Sequence, residues 1–349
     1  MCGIVGYIGY REAYPIVIKG LKRLEYRGYD SAGIMLYDQS GLKVSKTKGK
    51  VSDLEEKSSA IAGLKATIGM GHTRWATHGV PNDVNSHPHL SNSGKLAIIH
   101  NGIIENYEPL KKELIKRGYS FQSDTDTEVL VNLIEEVQKK ENLKLGKAVQ
   151  VALNQVVGAY AICVFDVQKP DEIVVARLGS PLAIGVGKDE FFIASDASPF
   201  IEYTSNAIYL EDEEMAIVRL NKGLKIRKIK DDTLVDPYIQ ELQMNLEQIE
   251  KGGYDHFMLK EIFEQPKAVA DTLIGRLTDN GKIELDELHM SEAEIKALKK
   301  FVVIACGTAY HAGMIAKYAI EKWAKSMADE HGFRDVGHTA EIFGICSKC

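Results

Sequence analysis

The chain has 349 residues, with 43 Lys and Arg against 49 Asp and Glu, and a formal net charge of −6 at pH 7. This length suits about two domains, each able to bury a core. No run of basic residues would follow a phosphate backbone, so nucleic acid is excluded as an expected partner. No apolar stretch approaches the ~20 residues of a membrane span and the start lacks signal-peptide features, so we expect a cytoplasmic protein without membrane contact.

Five cysteines are scattered along the chain: Cys2, Cys163, Cys306, Cys346 and Cys349. An odd number this small cannot cross-link a chain of this length, so the pattern predicts free thiols, at least one of them reactive. The final Cys-Ser-Lys-Cys has no second pair, and we expect a solvated tail there.

The first 200 residues alternate short apolar runs with helical patterns. Helical spacing predicts helices at 110–117 and 128–137, the second entered through Asp126 and Thr127. Many strands with few helices predict a layered α+β fold. The apolar runs that predict strands are 4–8, 33–37, 95–100, 159–166, 173–177, 182–186 and 191–194.

The sequence becomes polar and charged after about residue 220, and we place a linker at 220–255. Helical patterns follow at 261–273 and 292–299, and then an apolar strand at 301–305 runs into CGTAYHAG and a helix to about residue 325. A strand, tight turn and helix suit an anion, because the free N–H groups at the helix start point outward.

Cys2 directly follows the initiator methionine. Removal of Met1 would leave a thiol and a free α-amine on one residue, and that amine, with a usual pKa of about 7.7–8.0, can act as a general base. The thiol could then attack a carbonyl without a histidine partner. A cysteine at this position alone would more often be incidental, so the interpretation depends on the rest of the chain.

Five further stretches resemble one family. Together they are similar to the class II glutamine amidotransferase domain over residues 2–219. This resemblance implies a four-layer αββα sandwich of the N-terminal nucleophile type, L-glutamine as substrate and no cofactor. The stretches are CGIVGYIG at 2–9, LEYRGYDSAG at 24–33, GHTRWATHG at 71–79, HNGIIEN at 100–106 and SDTDTEV at 123–129.

The resemblance also implies a role for each motif. Cys2 is the expected nucleophile, Arg74 suits the α-carboxylate of glutamine, and Asp126 suits its α-ammonium group. Asn101 and Gly102 are the expected oxyanion hole, and Gly102 also lines the glutamine pocket. The resemblance implies four further roles. Arg27 and Gly28 would position the N-terminal amine, and Thr77 and His78 would contact glutamine. Tyr29 and Asp30 would form a lid, and Trp75 an ammonia gate.

Histidines near these motifs invite a metal interpretation. No pair has a recurring zinc spacing with a third ligand, so we expect no metal. The residues concerned are His72, His78, His87, His89 and His100.

Two later stretches, HFMLKEIFEQP at 256–266 and ACGTAYHAG at 305–313, resemble the glutamine–fructose-6-phosphate aminotransferase (isomerizing), or glucosamine-6-phosphate synthase, family. The resemblance implies transfer of ammonia to D-fructose 6-phosphate to give D-glucosamine 6-phosphate, with Gly307, Thr308 and Ala309 near the sugar. Many members carry serine at the position of Ala309. Full-length relatives commonly form homodimers.

Only 49 residues run from 301 to 349, which is short for a sugar isomerase domain. We therefore expect an incomplete α/β isomerase domain at 256–325 and a divergent tail at 326–349, with glutaminase chemistry kept and the isomerase half not full. A stand-alone glutaminase and a non-catalytic sugar-phosphate sensor or interaction protein stay open as alternatives. Other enzymes with this glutaminase domain would show a diphosphoribosyl-binding acidic loop, an SGG pyrophosphate loop or a flavin-dependent extension, and the sequence has none of these.

Overall fold

A computed structural model of the chain describes residues 2–28, 30–76, 79–220, 222–242, 252–277, 290–298, 302–305, 307–331 and 341–343. Two units are distinguished along the chain, Met1–Asp255 and His256–Cys349. Within the described ranges, every helix is too short or too polar to cross a membrane.

The first unit is built on two antiparallel sheets. Its strands are β1 Gly3–Ile8, β2 Ser31–Asp38, β3 Gly41–Lys48, β4 Ile68–Arg74, β5 His89–Leu90, β6 Leu96–Ile104, β7 Gly158–Asp166, β8 Glu172–Leu178, β9 Ala183–Val186, β10 Phe191–Ala194, β11 Asn206–Tyr209, β12 Glu214–Arg219, β13 Gly223–Lys228, β14 Leu234–Val235 and β15 Gln240–Glu241. One sheet has the order β15-β11-β9-β10-β1-β4-β2-β3, and the other has the order β14-β13-β12-β8-β7-β6-β5.

Helices cover the outer faces of both sheets. They are α1 Ala13–Leu24, α2 Val51–Lys57, α3 Ser59–Ala62, α4 Tyr107–Lys116, α5 Asp126–Glu141 and α6 Leu145–Leu153. One buried cluster lies between the sheets, a second joins α1 and α2 to the eight-stranded sheet, and a third joins α4, α5 and α6 to the seven-stranded sheet. The layers therefore run αββα, as the motifs predict.

The central strands are buried on both faces, because their side chains alternate between two clusters. In β1, Ile4 and Ile8 contact the inter-sheet cluster, whereas Val5 and Tyr7 contact the cluster under α1. Successive side chains of a strand point to opposite faces, so a strand with a layer on each side is apolar throughout. All six residues of β1 are buried.

Several elements were not predicted from the sequence, and β4, which ends at Arg74, matters most. Two glycines of β4 allow α1 to approach. A Cβ on Gly71 would lie 2.5 Å from Val17 Cγ1 and 2.8 Å from Leu21 Cδ1. Glycine within a strand can mark such a close approach, which has no signature in local hydrophobicity.

The expected linker at 220–255 is a second correction. Its first part forms β13, β14 and β15, which extend the two sheets of the first unit. In β13, Ile226 is buried, whereas its neighbour Lys225 is exposed and Arg227 is partly exposed. A strand with one solvated face has this alternation, and its polar residues favoured the linker prediction.

Gly33 provides a direct test of the contact between β2 and the segment before β5. A Cβ there would lie 2.0 Å from the carbonyl oxygen of His87. We expect Gly33→Ala to lower the free energy of unfolding by about 2–3 kcal/mol, because backbone must move to accept the methyl group. Urea unfolding of Gly63→Ala, where the added Cβ meets nothing within 4 Å, is the control. Equal stability of the two variants would contradict this packing.

In the second unit, helices span Phe257–Leu273, Glu292–Lys296 and Gly307–His331. Strand Val302–Ile304 pairs in parallel with Glu341–Phe343, which follows the longest of these helices. A parallel pair joined through a helix is the pattern of an α/β unit.

Candidate active site

Cys2 immediately precedes β1, and the pairing of β1 with β4 brings it beside Trp75. Gly3 is opposite Thr73 in this pairing, and Ile4 is opposite His72. The backbone N–H of Trp75 donates to Cys2 Sγ at 3.2 Å, and the thiol lies 3.5 Å from the Trp75 carbonyl oxygen. Cys2 is the only cysteine among the described residues that lies in a motif. Its thiol is therefore held by main-chain groups of a second motif, GHTRWATHG at 71–79.

The environment of the thiol has opposing effects on its acidity. Burial raises the pKa of Cys2, while the Trp75 N–H and the positive charge of Arg74 act in the opposite direction. The net direction is upward. A thiol with a raised pKa is protonated at neutral pH, so nucleophilic attack needs a base that removes the proton.

Asn101, from β6 of the other sheet, contacts Cys2, and Gly102 follows it in the same strand. Asn101 Nδ2 donates to the carbonyl oxygen of Cys2 at 3.1 Å, and its Oδ1 lies 2.9 Å from His72 Nε2. Gly102 has φ of +131°, and a Cβ there would lie 2.0 Å from the carbonyl oxygen of Ala159. Only glycine fits this position, because both backbone conformation and pairing with β7 exclude a side chain.

Arg74, the last residue of β4, has a buried side chain. Its Nη2 donates to the carbonyl oxygen of Gly79 at 3.2 Å. Burial lowers the pKa of the guanidinium, and the charges of Asp30, Cys2 and Asp126 oppose this effect. A buried cation near these groups can pair with a carboxylate of a ligand.

The segment after Arg74 is fixed by two residues of the 24–33 motif. The N–H of Asp30 donates to the carbonyl oxygen of Arg74 at 3.1 Å, and the Asp30 carboxylate accepts from the N–H of Ala76. A Cβ on Gly28 would lie 3.0 Å from the carbonyl carbon of Arg74. Asp30 therefore holds the main chain that contacts the Cys2 thiol, and Gly28 leaves room for its close approach. This anchoring by Asp30 was not predicted from the sequence, which indicated only a lid role.

Asp126 is the first residue of α5 and is 4% exposed. Its Oδ2 accepts from the N–H of Ile104, at the end of β6, at 2.7 Å. Thr125 caps the helix by accepting from the N–H of Glu128. A buried carboxylate at this position carries negative charge into the region of Arg74 and Gly102.

A residue missed from sequence, Asn85, ties two walls of this region together. Its Nδ2 donates to the carbonyl oxygen of Val80 at 3.0 Å and to Asp124 Oδ2 at 3.2 Å, and its Oδ1 accepts from the Asp124 N–H at 3.0 Å. Asn85 is 1% exposed. It stands outside the recognised motifs, and only a buried amide within a polar loop could have drawn attention to it.

Some predicted site residues are not tested by geometry. Tyr29, Thr77 and His78 lie outside the described residues, as do the side chains of Arg27 and Thr308 and the solvent exposure of Gly307. Trp75 has an exposed fraction of 37%, so it is not a core residue. Ala309 lies in the first turn of helix Gly307–His331 and is exposed.

Four histidines form a buried cluster beside Asn101. The rings of His72 and His87 lie 4.3 Å apart, and those of His87 and His89 lie 4.8 Å apart. Thr127 Oγ1 lies 2.9 Å from His87 Nε2 and 2.8 Å from His100 Nδ1. Among the described residues, no three His, Cys, Asp or Glu side chains are arranged to bind a metal ion.

Burial keeps His72, His87 and His89 neutral. It lowers the pKa of His72 to about 3 and places the pKa values of His87 and His89 well below the usual range. A neutral imidazole has one donor nitrogen and one acceptor nitrogen, and His72 and His87 each make a hydrogen bond through Nε2.

A cavity of about 850 Å³ opens elsewhere, between β3 and residues 88–94. Burial lowers the pKa of its Lys46 to about 8. Two serine hydroxyl groups of its lining donate hydrogen bonds to carboxylates, Ser91 to Glu135 and Ser123 to Glu128. Its lining excludes the residues around Cys2, so cavity size does not locate the chemistry.

Comparison with known proteins shows that the chain belongs to the glutamine amidotransferase family. Residues 58–242 match the model of a glutamine amidotransferase domain. The glutamine–fructose-6-phosphate aminotransferase (isomerizing) of Bacteroides thetaiotaomicron is 51% identical over 342 residues, which cover 96% of this chain and 55% of the relative. The protein of the same name from Chlorobaculum tepidum is 52% identical, covering 93% and 53%. The chain thus spans about half the length of these curated relatives.

Two solved structures share the fold. Glutamine phosphoribosylpyrophosphate amidotransferase from B. subtilis, complexed with ADP and GMP, has a TM-score of 0.56 and 30% identity. A structure described as the allosteric regulatory enzyme of purine biosynthesis has a TM-score of 0.58 and 31% identity. Each match covers 66% of this chain and 50% of the other. These likenesses confirm the αββα amidotransferase fold predicted from the motifs.

Proposed function

Because the chain belongs to the glutamine amidotransferase family, we propose that its first unit hydrolyses L-glutamine to L-glutamate and ammonia through a thioester on Cys2. The observation that carries the proposal is the Cys2 thiol at 3.2 Å from the Trp75 N–H, with the Asn101 amide 3.1 Å from the Cys2 carbonyl oxygen. A nucleophile, a polarising N–H and an amide donor therefore meet at one point.

The reaction begins when the free α-amine of Cys2, exposed by removal of Met1, takes the proton of the thiol. Sγ then attacks the side-chain carboxamide carbon, and the amide NH2 group of Asn101 with the Gly102 N–H stabilises the oxyanion. The amine returns the proton to the leaving nitrogen, the C–N bond breaks and ammonia departs. Water then cleaves the thioester to release glutamate and restore the thiol.

Two opposite charges select glutamine over a plain amide. The Arg74 guanidinium pairs with the α-carboxylate, and the Asp126 carboxylate accepts from the α-ammonium group. One oxygen of Asp126 is already held by the Ile104 N–H, which fixes the orientation of the carboxylate. The proposal also assigns Thr77 and His78 to glutamine binding.

The role of Arg74 is tested by Arg74→Lys, which keeps the charge but loses the planar fork of donors. We expect the KM for glutamine to rise about 10- to 100-fold, as the loss of a charged hydrogen bond implies, with a smaller change in kcat. Steady-state assays of glutamate release measure both. Arg219→Lys is the control, because Arg219 pairs with Glu172 on the seven-stranded sheet, whereas Arg74 ends a strand of the eight-stranded sheet. An unchanged KM for Arg74→Lys would contradict the assignment.

We further propose that ammonia passes to D-fructose 6-phosphate, giving D-glucosamine 6-phosphate, in a cytoplasmic pathway of amino sugar synthesis. The names of the relatives at 51% and 52% identity support this acceptor. In the same proposal Trp75 and Tyr29 gate the ammonia, Arg27 and Gly28 position the amine of Cys2, and the segment with Gly307, Thr308 and Ala309 contacts the sugar. The proposal also includes formation of a homodimer, as we expect for full-length relatives.

The test is to assay purified protein for glutamate and for glucosamine 6-phosphate, with and without fructose 6-phosphate. Both products would support the full proposal. Glutamate alone, unaffected by the sugar, would favour the stand-alone glutaminase. No glutamate under any condition would contradict the proposed function and favour the non-catalytic sensor.

A further inference from the structure

We infer that His72 is a positioning residue that fixes the side-chain amide of Asn101 with its NH2 group toward the reacting carbon. This inference rests on the proposed glutamine hydrolysis. His72 lies on β4 of the eight-stranded sheet, and Asn101 lies on β6 of the seven-stranded sheet. Their hydrogen bond, 2.9 Å between His72 Nε2 and Asn101 Oδ1, therefore joins the two sheets beside Cys2.

The hydrogen-bond network determines which way the Asn101 amide faces. The Cys2 carbonyl oxygen is only an acceptor, so the Asn101 atom 3.1 Å from it must be the nitrogen. Asn101 Oδ1 then faces His72. A carbonyl oxygen is only an acceptor as well, so His72 Nε2 must carry the proton. Of the two amide hydrogens of Asn101, one is used by Cys2 and the other is left for an oxyanion.

Without a donor at position 72 this orientation loses one of its two restraints. The amide could rotate, and its second hydrogen would no longer point consistently at the developing charge. An oxyanion donor acts through preorganisation, so a small loss of order is expressed in kcat and not in ground-state binding. His72 itself does not reach the substrate through this contact, which distinguishes it from the residues of the oxyanion hole.

The surroundings of His72 agree with a fixed donor and not with a proton carrier. The side chain is fully buried, and its pKa of about 3 keeps the ring neutral. The ring centroid of the neighbouring His87 lies 4.3 Å from that of His72, with the two rings tilted, and His87 hydrogen-bonds to Thr127 on α5. His72 alone of the four buried histidines has a described hydrogen bond to an expected catalytic residue.

The test compares two substitutions that differ by one methylene group. Glutamine at position 72 can place an amide N–H near the position of Nε2, whereas asparagine is too short to do so. We expect His72→Asn to lower kcat for glutamine hydrolysis about 10- to 100-fold with KM changed less than about threefold, and His72→Gln to recover most of the loss. His89→Asn, in the same cluster but bonded to Thr125, is the control and should keep kcat within about threefold.

A double-mutant cycle with Asn101→Ala separates positioning from general destabilisation. If His72 acts through Asn101, adding His72→Asn to Asn101→Ala lowers kcat little further. Equal losses in both backgrounds, or full kcat in His72→Asn, would overturn the inference. If His72→Asn does not fold, two other results would overturn the inference. One is full kcat in His72→Leu, and the other is a low kcat in His72→Gln. Absence of glutamate release in the unmodified protein would instead contradict the proposed function itself.

Discussion

Replacing Cys2 with alanine is expected to lower kcat for glutamine hydrolysis by more than about 10³-fold, because the thioester cannot form. The change removes one sulfur atom from a partly buried position held by Trp75 main-chain contacts. We therefore expect little change in thermal stability and retained binding of glutamine. Glutamate release and calorimetric titration with glutamine measure the two effects separately.

Cys163→Ala is the matched control, because Cys163 is the other described free cysteine of the first unit. It lies in the inter-sheet core, its Sγ is 3.2 Å from Met70 Sδ, and burial raises the pKa of its thiol far above neutral. This variant should keep its kcat and lose only a little stability. Substantial glutamate release by Cys2→Ala would contradict the assignment of the nucleophile.

Mild acid is expected to destabilise the first unit through its buried histidines. The folded state keeps His72, His87 and His89 neutral well below the unfolded pKa of about 6.5, so the unfolded state binds more protons. Stability is therefore full above about pH 7 and is lost as the pH falls toward the folded pKa values. Each histidine contributes about 1.2 kcal/mol between pH 6 and pH 5, or about 3–4 kcal/mol for the three.

Urea unfolding at pH 7, 6 and 5 measures this loss. His89→Gln removes one titrating group, so its loss between pH 6 and pH 5 should be smaller by about one third. A free energy of unfolding that does not change over this range, or an identical slope in His89→Gln, would show that the histidines titrate normally in the folded protein.

The layer order could be predicted from motifs, but the elements around them only in part. Strands such as β7 and β10 are continuous apolar runs, and their predicted bounds agree with the structure to within a residue. In contrast, β4 contains Gly69 and Gly71, whose purpose is contact with α1. That contact depends on a helix elsewhere in the chain, so local pattern could not indicate it.

The candidate site was predictable where a motif marks a residue and not where a fold contact gives it a role. The roles of Cys2, Asn101 and Asp126 were predicted from their motifs, and the structure brings Cys2 and Asn101 together. His72 also lies in a motif, but from the sequence it was considered only as a metal ligand, and that interpretation was rejected. Its hydrogen bond to Asn101 spans two sheets and 29 positions of sequence, so only the folded chain reveals it.

The most direct test of the central claim is mass spectrometry of the protein after reaction with a glutamine analogue that carries an electrophilic ketone in place of the carboxamide. We predict one adduct per chain, on Cys2, in molecules that have lost Met1, and protection by excess glutamine. Labelling that falls on another residue, or that glutamine does not suppress, would contradict the account.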